Sequence, residues 1–192
     1  MLRNSAISVS ILFGALCVSQ SAFSKAKEIE NEGSGTSVSS YTKQTFNIVN
    51  TLKGKCLDVA GYSGKKGRNV QIYHCDGYKD QRWYFADQDG RPVSISDVKN
   101  HNYRSHVTIR NAQSNLCLDI AGYAGYQDDN AQIWTCEKDY VPDQYWTLEQ
   151  HDGPQIIRNR ARGNILDVGG TSGKSGHNVQ LWPWKSYSDQ LW

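Results

Sequence analysis

The same pattern of residues occurs three times after residue 45, and this repetition constrains the fold more than any other feature of the sequence. Each copy begins at an Asn and contains an Asp, followed by an Asn eleven residues later, a Gln at thirteen and an aromatic residue at fifteen. Each copy then closes on D-Q-x-W. Agreement at this many offsets indicates three equivalent structural units. They cover about residues 46–86, 107–149 and 155–192.

Each unit alternates short apolar runs with turn residues. The runs of the first unit are IVN, CLDV, VQIY and RWYF, separated mostly by Gly, Ser and Asn. Short runs of this kind predict strands, and no window shows the helical period of 3.6 residues. A β-propeller needs at least four blades, whereas this chain has three copies. The sequence therefore predicts an all-β protein, a β-trefoil whose three four-stranded repeats are related by pseudo-threefold symmetry.

With these motifs the sequence resembles the ricin B-type lectin family. The resemblance rests on the Q-x-W triplets QIY, QIW and QLW, the CLD or ILD element and the closing D-Q-x-W, and it covers residues 46–192. It implies a multivalent lectin with one shallow pocket per repeat. The expected ligands are galactose-type or other pyranosides on glycoconjugates or polysaccharides. The resemblance implies no reaction on the sugar, no cofactor and no metal.

The resemblance also assigns roles to five residues of each repeat. The Asp of C-L-D would be a surface acceptor for two sugar hydroxyls, because carboxylate oxygens suit a vicinal diol. The aromatic residue of Q-x-W would stack on the pyranose ring, its Gln would brace the site, and the closing D-Q pair would add polar contacts. These residues are Asp58, Gln71, Tyr73, Asp80 and Gln81; Asp119, Gln132, Trp134, Asp143 and Gln144; and Asp167, Gln180, Trp182, Asp189 and Gln190. The larger rings of Trp134 and Trp182 favour tighter binding in the second and third repeats.

The repeats also make predictions about the core and the disulfides. The closing Trp83, Trp146 and Trp192 are expected in the core. Four cysteines lie in the repeats, and in an exported chain they predict disulfides with three alternative pairings. They are Cys56, Cys75, Cys117 and Cys136. The two cysteines of the first repeat are 19 residues apart, and so are the two of the second, at equivalent positions. Each pair is therefore expected to bond within its own repeat. Ile165 and Trp184 take these two positions in the third repeat, where an apolar contact is expected.

Residues 1–45 read as a targeting segment followed by a linker. Residues 1–24 combine Arg3, an apolar run over 7–18 and small residues before a predicted cleavage after Ser24, which is typical of a secretory signal and too short for a membrane span. A lipoprotein signal acylated on Cys17 is disfavoured, because the preceding Leu16 is not small. Residues 25–45 are polar and predict a flexible linker, with an arm that docks on a partner as the alternative. We therefore expect a secreted, extracellular protein.

An insertion of 15 residues separates the first two repeats, around residues 87–106. Its turn-forming sequence predicts a surface hairpin or loop. A specificity loop or a contact with a partner is the alternative.

Charge and motifs disfavour other function classes. The chain has 21 basic and 19 acidic residues, a balance unlike that of nucleic-acid-binding proteins. The G-K-S at residues 173–175 lacks the earlier Gly of a phosphate loop, and His101 and His106 lack further metal ligands. Asp58 with Asp80 is a candidate carboxyl dyad, but its threefold repetition favours binding over glycoside hydrolysis. We therefore expect no enzyme.

One alternative function stays open at the level of the sequence. The chain could be the receptor-binding trefoil subunit of a multi-chain secreted toxin, similar to the cytolethal distending toxins. Residues 25–45 would then contact the toxin's partner chains.

Overall fold

The three repeats form three sets of antiparallel strands. The computed structural model describes residues 43–100, 107–139 and 141–192. The first repeat contains β1 (Val49–Asn50), β2 (Lys55–Val59), β3 (Arg68–Tyr73) and β4 (Trp83–Ala86); β5 (Pro92–Val93) and α1 (Ile95–Lys99) follow; the second repeat contains β6 (Thr108–Asn111), β7 (Cys117–Ile120), β8 (Ala131–Trp134) and β9 (Trp146–Gln150); the third contains β10 (Gln155–Asn159), β11 (Ile165–Val168) and β12 (His177–Trp182). The apolar runs of the sequence correspond to these strands.

The third strands of the repeats meet one another at the centre of the fold. β3 pairs with both β8 and β12, and a bridge between Asn130 and Gln180 joins β8 to β12. In each junction the Asn at offset eleven of one repeat lies opposite the Gln at offset thirteen of another. The repeated Asn and Gln positions therefore hold the three repeats together around one axis.

A second set of backbone hydrogen bonds joins each repeat to the next and the third to the first. The N–H of Ala112 donates to the carbonyl of Arg82 at 2.7 Å, and that of Arg160 to the carbonyl of Tyr145 at 2.9 Å. The equivalent bond from Thr51 to the carbonyl of Leu191, at 2.9 Å, closes the ring. This closed threefold arrangement confirms the predicted β-trefoil.

The closing tryptophans lie in the core, as predicted. The exposed fractions of Trp83, Trp146 and Trp192 are 0%, 1% and 8%. Each indole N–H donates to the carbonyl of a buried Leu of its own repeat: Leu57 at 2.9 Å, Leu118 at 3.1 Å and Leu166 at 2.9 Å. A buried indole N–H needs such an acceptor, so these bonds let a large ring fill the core without an unpaired polar group.

The two predicted disulfides are present within their own repeats. Cys56 is bonded to Cys75, and Cys117 to Cys136. In the third repeat Ile165 is fully buried. Trp184 is half-buried, and its ring lies edge-on to His151 with 5.1 Å between the ring centroids.

The described part of the insertion contains the predicted hairpin and, in addition, a short helix. β5 pairs with β4, and the short helix α1 follows after the N-cap Ser94, whose hydroxyl accepts a bond from the N–H of Asp97 at 3.1 Å. Val93 and Val98 are buried and join the core cluster. The prediction of a hairpin or loop missed only α1, because a helix of five residues is too short to show a helical period. Residues 101–106, with His101 and His106, lie outside the described residues.

The predicted secretory signal at 1–24 and most of the predicted linker lie outside the described residues. The last linker residues, 43–45, contact the trefoil: the guanidinium of Arg82 donates to the carbonyl of Thr45 at 2.6 Å, and the ammonium of Lys43 lies 4.0 Å from the ring centroid of Tyr84. Residues 43–45 therefore lie against the trefoil, and the first bridge of the fold is formed by the next residue, Phe46. None of the helices in the described ranges is long and apolar enough to cross a membrane.

Candidate functional site

The Asp of each C-L-D or I-L-D element is held by the Gln of Q-x-W on the adjacent strand. Asp58, Asp119 and Asp167 lie opposite Gln71, Gln132 and Gln180 in the strand register. The Gln amides donate to Oδ1 of these carboxylates at 2.7, 2.7 and 3.5 Å. The exposed fractions of the aspartates are only 3%, 2% and 5%. The prediction of surface acceptors is therefore wrong, because the strand pairing buries these carboxylates. The bracing role predicted for the Gln residues is confirmed.

The Gln of each closing D-Q pair braces the same carboxylate from its other side. Gln81, Gln144 and Gln190 donate through Nε2 to Oδ2 of the aspartate at 3.0, 2.9 and 3.0 Å. Each Nε2 also donates to a backbone carbonyl, and each Oε1 accepts a backbone N–H. At most 1% of these side chains is exposed. Direct sugar contact by the three residues is therefore contradicted, since their polar groups are paired and covered.

The Asp of each closing pair lies beside this braced carboxylate. Asp80, Asp143 and Asp189 are in short 3-10 turns (Lys79–Gln81, Pro142–Gln144 and Ser188–Gln190). Their exposed fractions are 1%, 1% and 8%. In each of them at least one carboxylate oxygen has no hydrogen-bond donor among the described residues. These oxygens are buried acceptors without a donor, an environment that disfavours the charged carboxylate.

Several of these carboxyl groups have raised pKa values, chiefly because they are buried. Burial and, next in size, the neighbouring Asp58 and Asp119 carboxylates raise the pKa of Asp80 and of Asp143 to about 6. In the third repeat burial raises the pKa of Asp167 to about 6 and also raises that of Asp189. Asp80, Asp143 and Asp167 thus take up a proton at a higher pH than isolated aspartates do.

An Asn of the neighbouring repeat positions each of these turns. The side-chain amides of Asn50, Asn111 and Asn159 donate to the carbonyls of Asp189, Asp80 and Asp143 at 2.9, 2.8 and 2.8 Å. All three Asn side chains are fully buried. Sequence reasoning used these Asn residues only to mark where each repeat begins. Their repetition was the signal that could have identified a structural role.

Cavities lie over the braced carboxylates of the first two repeats. The first has a volume of about 190 Å³ and the second about 250 Å³. The first is lined by Asp58, Gly61, Tyr62, Gln71, Tyr73 and Asp80, and the second by Asp119, Ile120, Gly122, Tyr123, Gln132, Trp134 and Asp143. Four of the five predicted residues of each repeat thus come together around one cavity. The closing Gln supports the cavity from below its surface.

A tyrosine that the sequence prediction missed forms a further wall of each cavity. Tyr62 and Tyr123 are 54% and 61% exposed. Their φ angles of 55° and 63° lie in the left-handed region, which costs free energy for a residue with a side chain and recurs at functional sites. The signal was available as the repeated D-x-A-G-Y after each CL.

The third repeat keeps the brace but lacks this wall. Thr171 stands at the position of Tyr62 and Tyr123. Trp182 is half-buried, as are Tyr73 and Trp134. The loop beside it is held by His177, whose Nδ1 lies 3.0 Å from the carbonyl of Gly169 and whose Nε2 lies 3.0 Å from the hydroxyl of Ser172.

A separate apolar cavity of about 190 Å³ contains none of the predicted site residues. It is lined by Phe46, Asn47, Ile48, Val49, Phe85, Ile95, Lys99, Leu148, Gln155, Ile157 and Trp192. Within the described ranges, no cluster of three or more His, Cys, Asp or Glu side chains could hold a metal ion.

Comparisons with known proteins agree with this geometry. The family model described as the ricin-type beta-trefoil lectin domain matches residues 44–192. Among solved structures, the designed 3-fold symmetric protein ThreeFoil superposes with a TM-score of 0.64 at 24% identity, over 77% of this chain and 95% of that one. A search of curated protein sequences found no significant match.

Two further solved structures show how widely the fold occurs. The Macrolepiota procera ricin B-like lectin in complex with lactose has a TM-score of 0.57 at 22% identity, over 82% of this chain and 96% of that one. The exo-beta-1,3-galactanase 1,3Gal43A from Clostridium thermocellum has a TM-score of 0.66 at 23% identity. The match covers 79% of this chain but only 30% of the galactanase.

Proposed function

The chain belongs to the ricin-type β-trefoil lectin family, and from this premise we propose that it binds the pyranose units of glycans without catalysing a reaction on them. One site lies in each repeat. The observation that carries the proposal is the threefold occurrence of a buried carboxylate, braced by two amides, in a repeat that also presents a half-buried aromatic ring. A carboxylate held in one orientation can select sugars whose two neighbouring hydroxyl groups point toward its oxygens.

In the first repeat the residues that line the cavity make different contacts with the sugar. The ring of Tyr73 stacks on the C–H face of the pyranose, because a sugar presents C–H groups on its face and hydroxyls at its rim. Oδ1 and Oδ2 of Asp58 each accept one amide bond and keep further lone pairs for sugar hydroxyls. The carboxyl group of Asp80 lines the same cavity beside Asp58. Trp134, Asp119 and Asp143 provide the same groups in the second repeat.

Galactose-type pyranosides are the first ligands to test. Solved structures with this fold include the Macrolepiota procera lectin in complex with lactose and the C-half of the earthworm R-type lectin in complex with GalNAc. The acceptors proposed here are vicinal-diol acceptors, and both of those sugars offer such diols.

The carboxyl pair supports binding and not hydrolysis. A glycosidase uses one carboxyl as an acid and a second as a nucleophile or base on the reacting bond. Asp58 and Asp119 each accept bonds from two Gln amides, which hold them as acceptors. We therefore expect no hydrolysis of nitrophenyl glycosides of galactose, N-acetylgalactosamine or glucose.

Secretion and multivalency belong to the same proposal. Two disulfides favour an oxidising compartment, and the predicted signal at 1–24 would direct the chain there. Each shallow site is expected to bind weakly. Several sites that engage one glycan-coated surface can together gain roughly 10² to 10⁴ in affinity where geometry allows. The toxin-subunit alternative depends on residues 25–45, of which 25–42 lie outside the described residues, and stays a prediction.

A glycan array tests the proposed function. The wild-type chain should bind a defined set of pyranosides, and the triple variant Tyr73→Ala, Trp134→Ala and Trp182→Ala should lose this binding with its fold retained. The matched control is Trp184→Ala, which removes a half-buried Trp outside the proposed sites and should bind like the wild type. Binding that survives the triple substitution would place the glycan contacts elsewhere.

A further inference from the structure

We propose that the first repeat binds two consecutive sugar units, and that Tyr62 and Tyr78 form a second subsite for the unit next to the terminal one. The proposal rests on the proposed function of the first cavity, which takes the terminal pyranose. The ligand class is therefore an oligosaccharide of pyranose units. In this respect the first repeat differs from the third.

Two neighbouring cavities carry this inference. Beside the cavity over Asp58 lies a second one, with a volume of about 400 Å³, lined by Tyr62, Tyr78, Lys79, Asp80 and Gln113. Tyr62 and Asp80 line both cavities, so the two are adjacent and share a wall. A glycan whose terminal unit occupies the first cavity can therefore place its next unit in the second.

The rings of Tyr62 and Tyr78 supply an apolar surface for that next unit. Their centroids are 5.5 Å apart, with the ring planes at 89°. The two residues are 54% and 60% exposed, which is unusual for large rings that contact each other. A pyranose that lies against them covers this apolar area and leaves the phenolic groups at its rim, where they can bond to hydroxyls.

The second subsite is held in place by a neighbouring repeat. The carbonyl of Tyr62 accepts a bond from the amide of Gln113, in the second repeat, at 2.8 Å. The N–H of Tyr78 donates to Oδ1 of Asp76 at 3.0 Å. Because these bonds fix the backbone at both tyrosines, binding orders few additional groups, which favours affinity.

The described residues place both tyrosines together only in the first repeat. The third repeat has Tyr187 at the position of Tyr78, but Thr171 replaces Tyr62. Lys79 is likewise replaced, by Ser188. The second repeat has Tyr123, but its closing loop is two residues longer and Tyr140 lies outside the described residues.

The test isolates the first repeat. In a background with Trp134→Ala and Trp182→Ala, affinities are measured by NMR titration for galactose, N-acetylgalactosamine and glucose, and for disaccharides that end in each of them through different linkages. At least one disaccharide should bind about fivefold or more tightly than its terminal monosaccharide, as expected for one added stacking contact. Tyr78→Ala should abolish this preference and change monosaccharide affinity less than twofold. Tyr187→Ala is the matched control and should preserve the preference.

The outcomes separate this inference from the proposed function. Monosaccharide binding without any disaccharide preference overturns the second subsite and leaves the lectin function intact. A preference that survives Tyr78→Ala also overturns it. Absence of binding to every sugar on the array and in the titration overturns the proposed function, and the second subsite with it.

Discussion

The first two repeats and the third share their framework but differ in what surrounds it. All three keep the closing Trp, the buried Asn at the start of the repeat and the Gln that braces the central aspartate. The first two add a disulfide and a tyrosine wall, whereas the third has Ile165 and Trp184 in place of the cysteines and Thr171 in place of the tyrosine. The comparison teaches that closure of the trefoil and the shape of each site depend on different residues.

The largest effect is expected from the closing tryptophans, which the three repeats share. Trp83→Ala and Trp146→Ala should each lower the free energy of unfolding by about 3 to 5 kcal/mol, because each removes a fully buried ring. Deleting Trp192 should have an effect of similar size, because it also removes two backbone hydrogen bonds with Gln155. Urea denaturation measures all three, with Trp184→Ala as the control that costs less. An unchanged midpoint after deletion of Trp192 would show that the third repeat does not need its closing Trp.

The disulfides provide the next contrast between the repeats. Replacing Cys56 and Cys75 together by Ala should cost about 3 kcal/mol under the chain-entropy model, and the same holds for Cys117 and Cys136. Reduction of the wild type should therefore raise amide hydrogen exchange in the first two repeats more than in the third. An equal increase of amide hydrogen exchange in all three repeats would show that the trefoil opens as one cooperative unit after reduction.

The central aspartates should contribute less than the disulfides, and unequally. Asp58→Ala leaves the amides of Gln71 and Gln81 without this acceptor, at a cost of roughly 1 to 3 kcal/mol. Asp167→Ala should cost less, because the Gln180 bond is already 3.5 Å long. Thermal melts compare the two variants with Asp89→Ala, an exposed control. Equal losses at Asp58 and Asp167 would contradict the inferred difference in bracing.

The smallest effect concerns pH. The pKa of Asp80 and of Asp143 is raised from 3.8 to about 6, so the folded state binds more protons than the unfolded state between these values. Stability should therefore increase as the pH falls from 7 to 4.5. The double variant Asp80→Asn and Asp143→Asn should show a smaller increase. The urea midpoints of wild type and variant are measured at both pH values. If both proteins gain the same stability at the lower pH, Asp80 and Asp143 are not the source of that gain.

Repeat spacing accounts for what could be predicted well. The strands, the two disulfides and the core position of Trp83, Trp146 and Trp192 all follow from residues that recur at fixed offsets, and the structure confirms them. The helix α1 was missed because it has no counterpart in the other repeats and is only five residues long. Repetition therefore reveals the shared framework and says little about an insertion.

The structure brings most of the predicted site residues of the first two repeats together, but their burial was not predicted. Asp58 was expected at the surface, yet Gln71 and Gln81 enclose it from two different segments. Gln81 was expected to contact sugar, yet all its polar atoms bond within the protein. Burial of this kind depends on which segments fold over a residue, and the residue's own sequence context does not contain that information.

By itself the sequence determined the number of repeats, the strand pattern, the disulfide pairing and the family, because each depends on residue identity at regular spacing. Only the tertiary structure decided which polar groups support the cavities and which line them. It also brought the amide of Gln113 to the carbonyl of Tyr62, 51 residues earlier in the chain. In the same way it brought the amide of Asn111 to the carbonyl of Asp80. Such contacts join neighbouring repeats, and they exist only once the three repeats have closed into a ring.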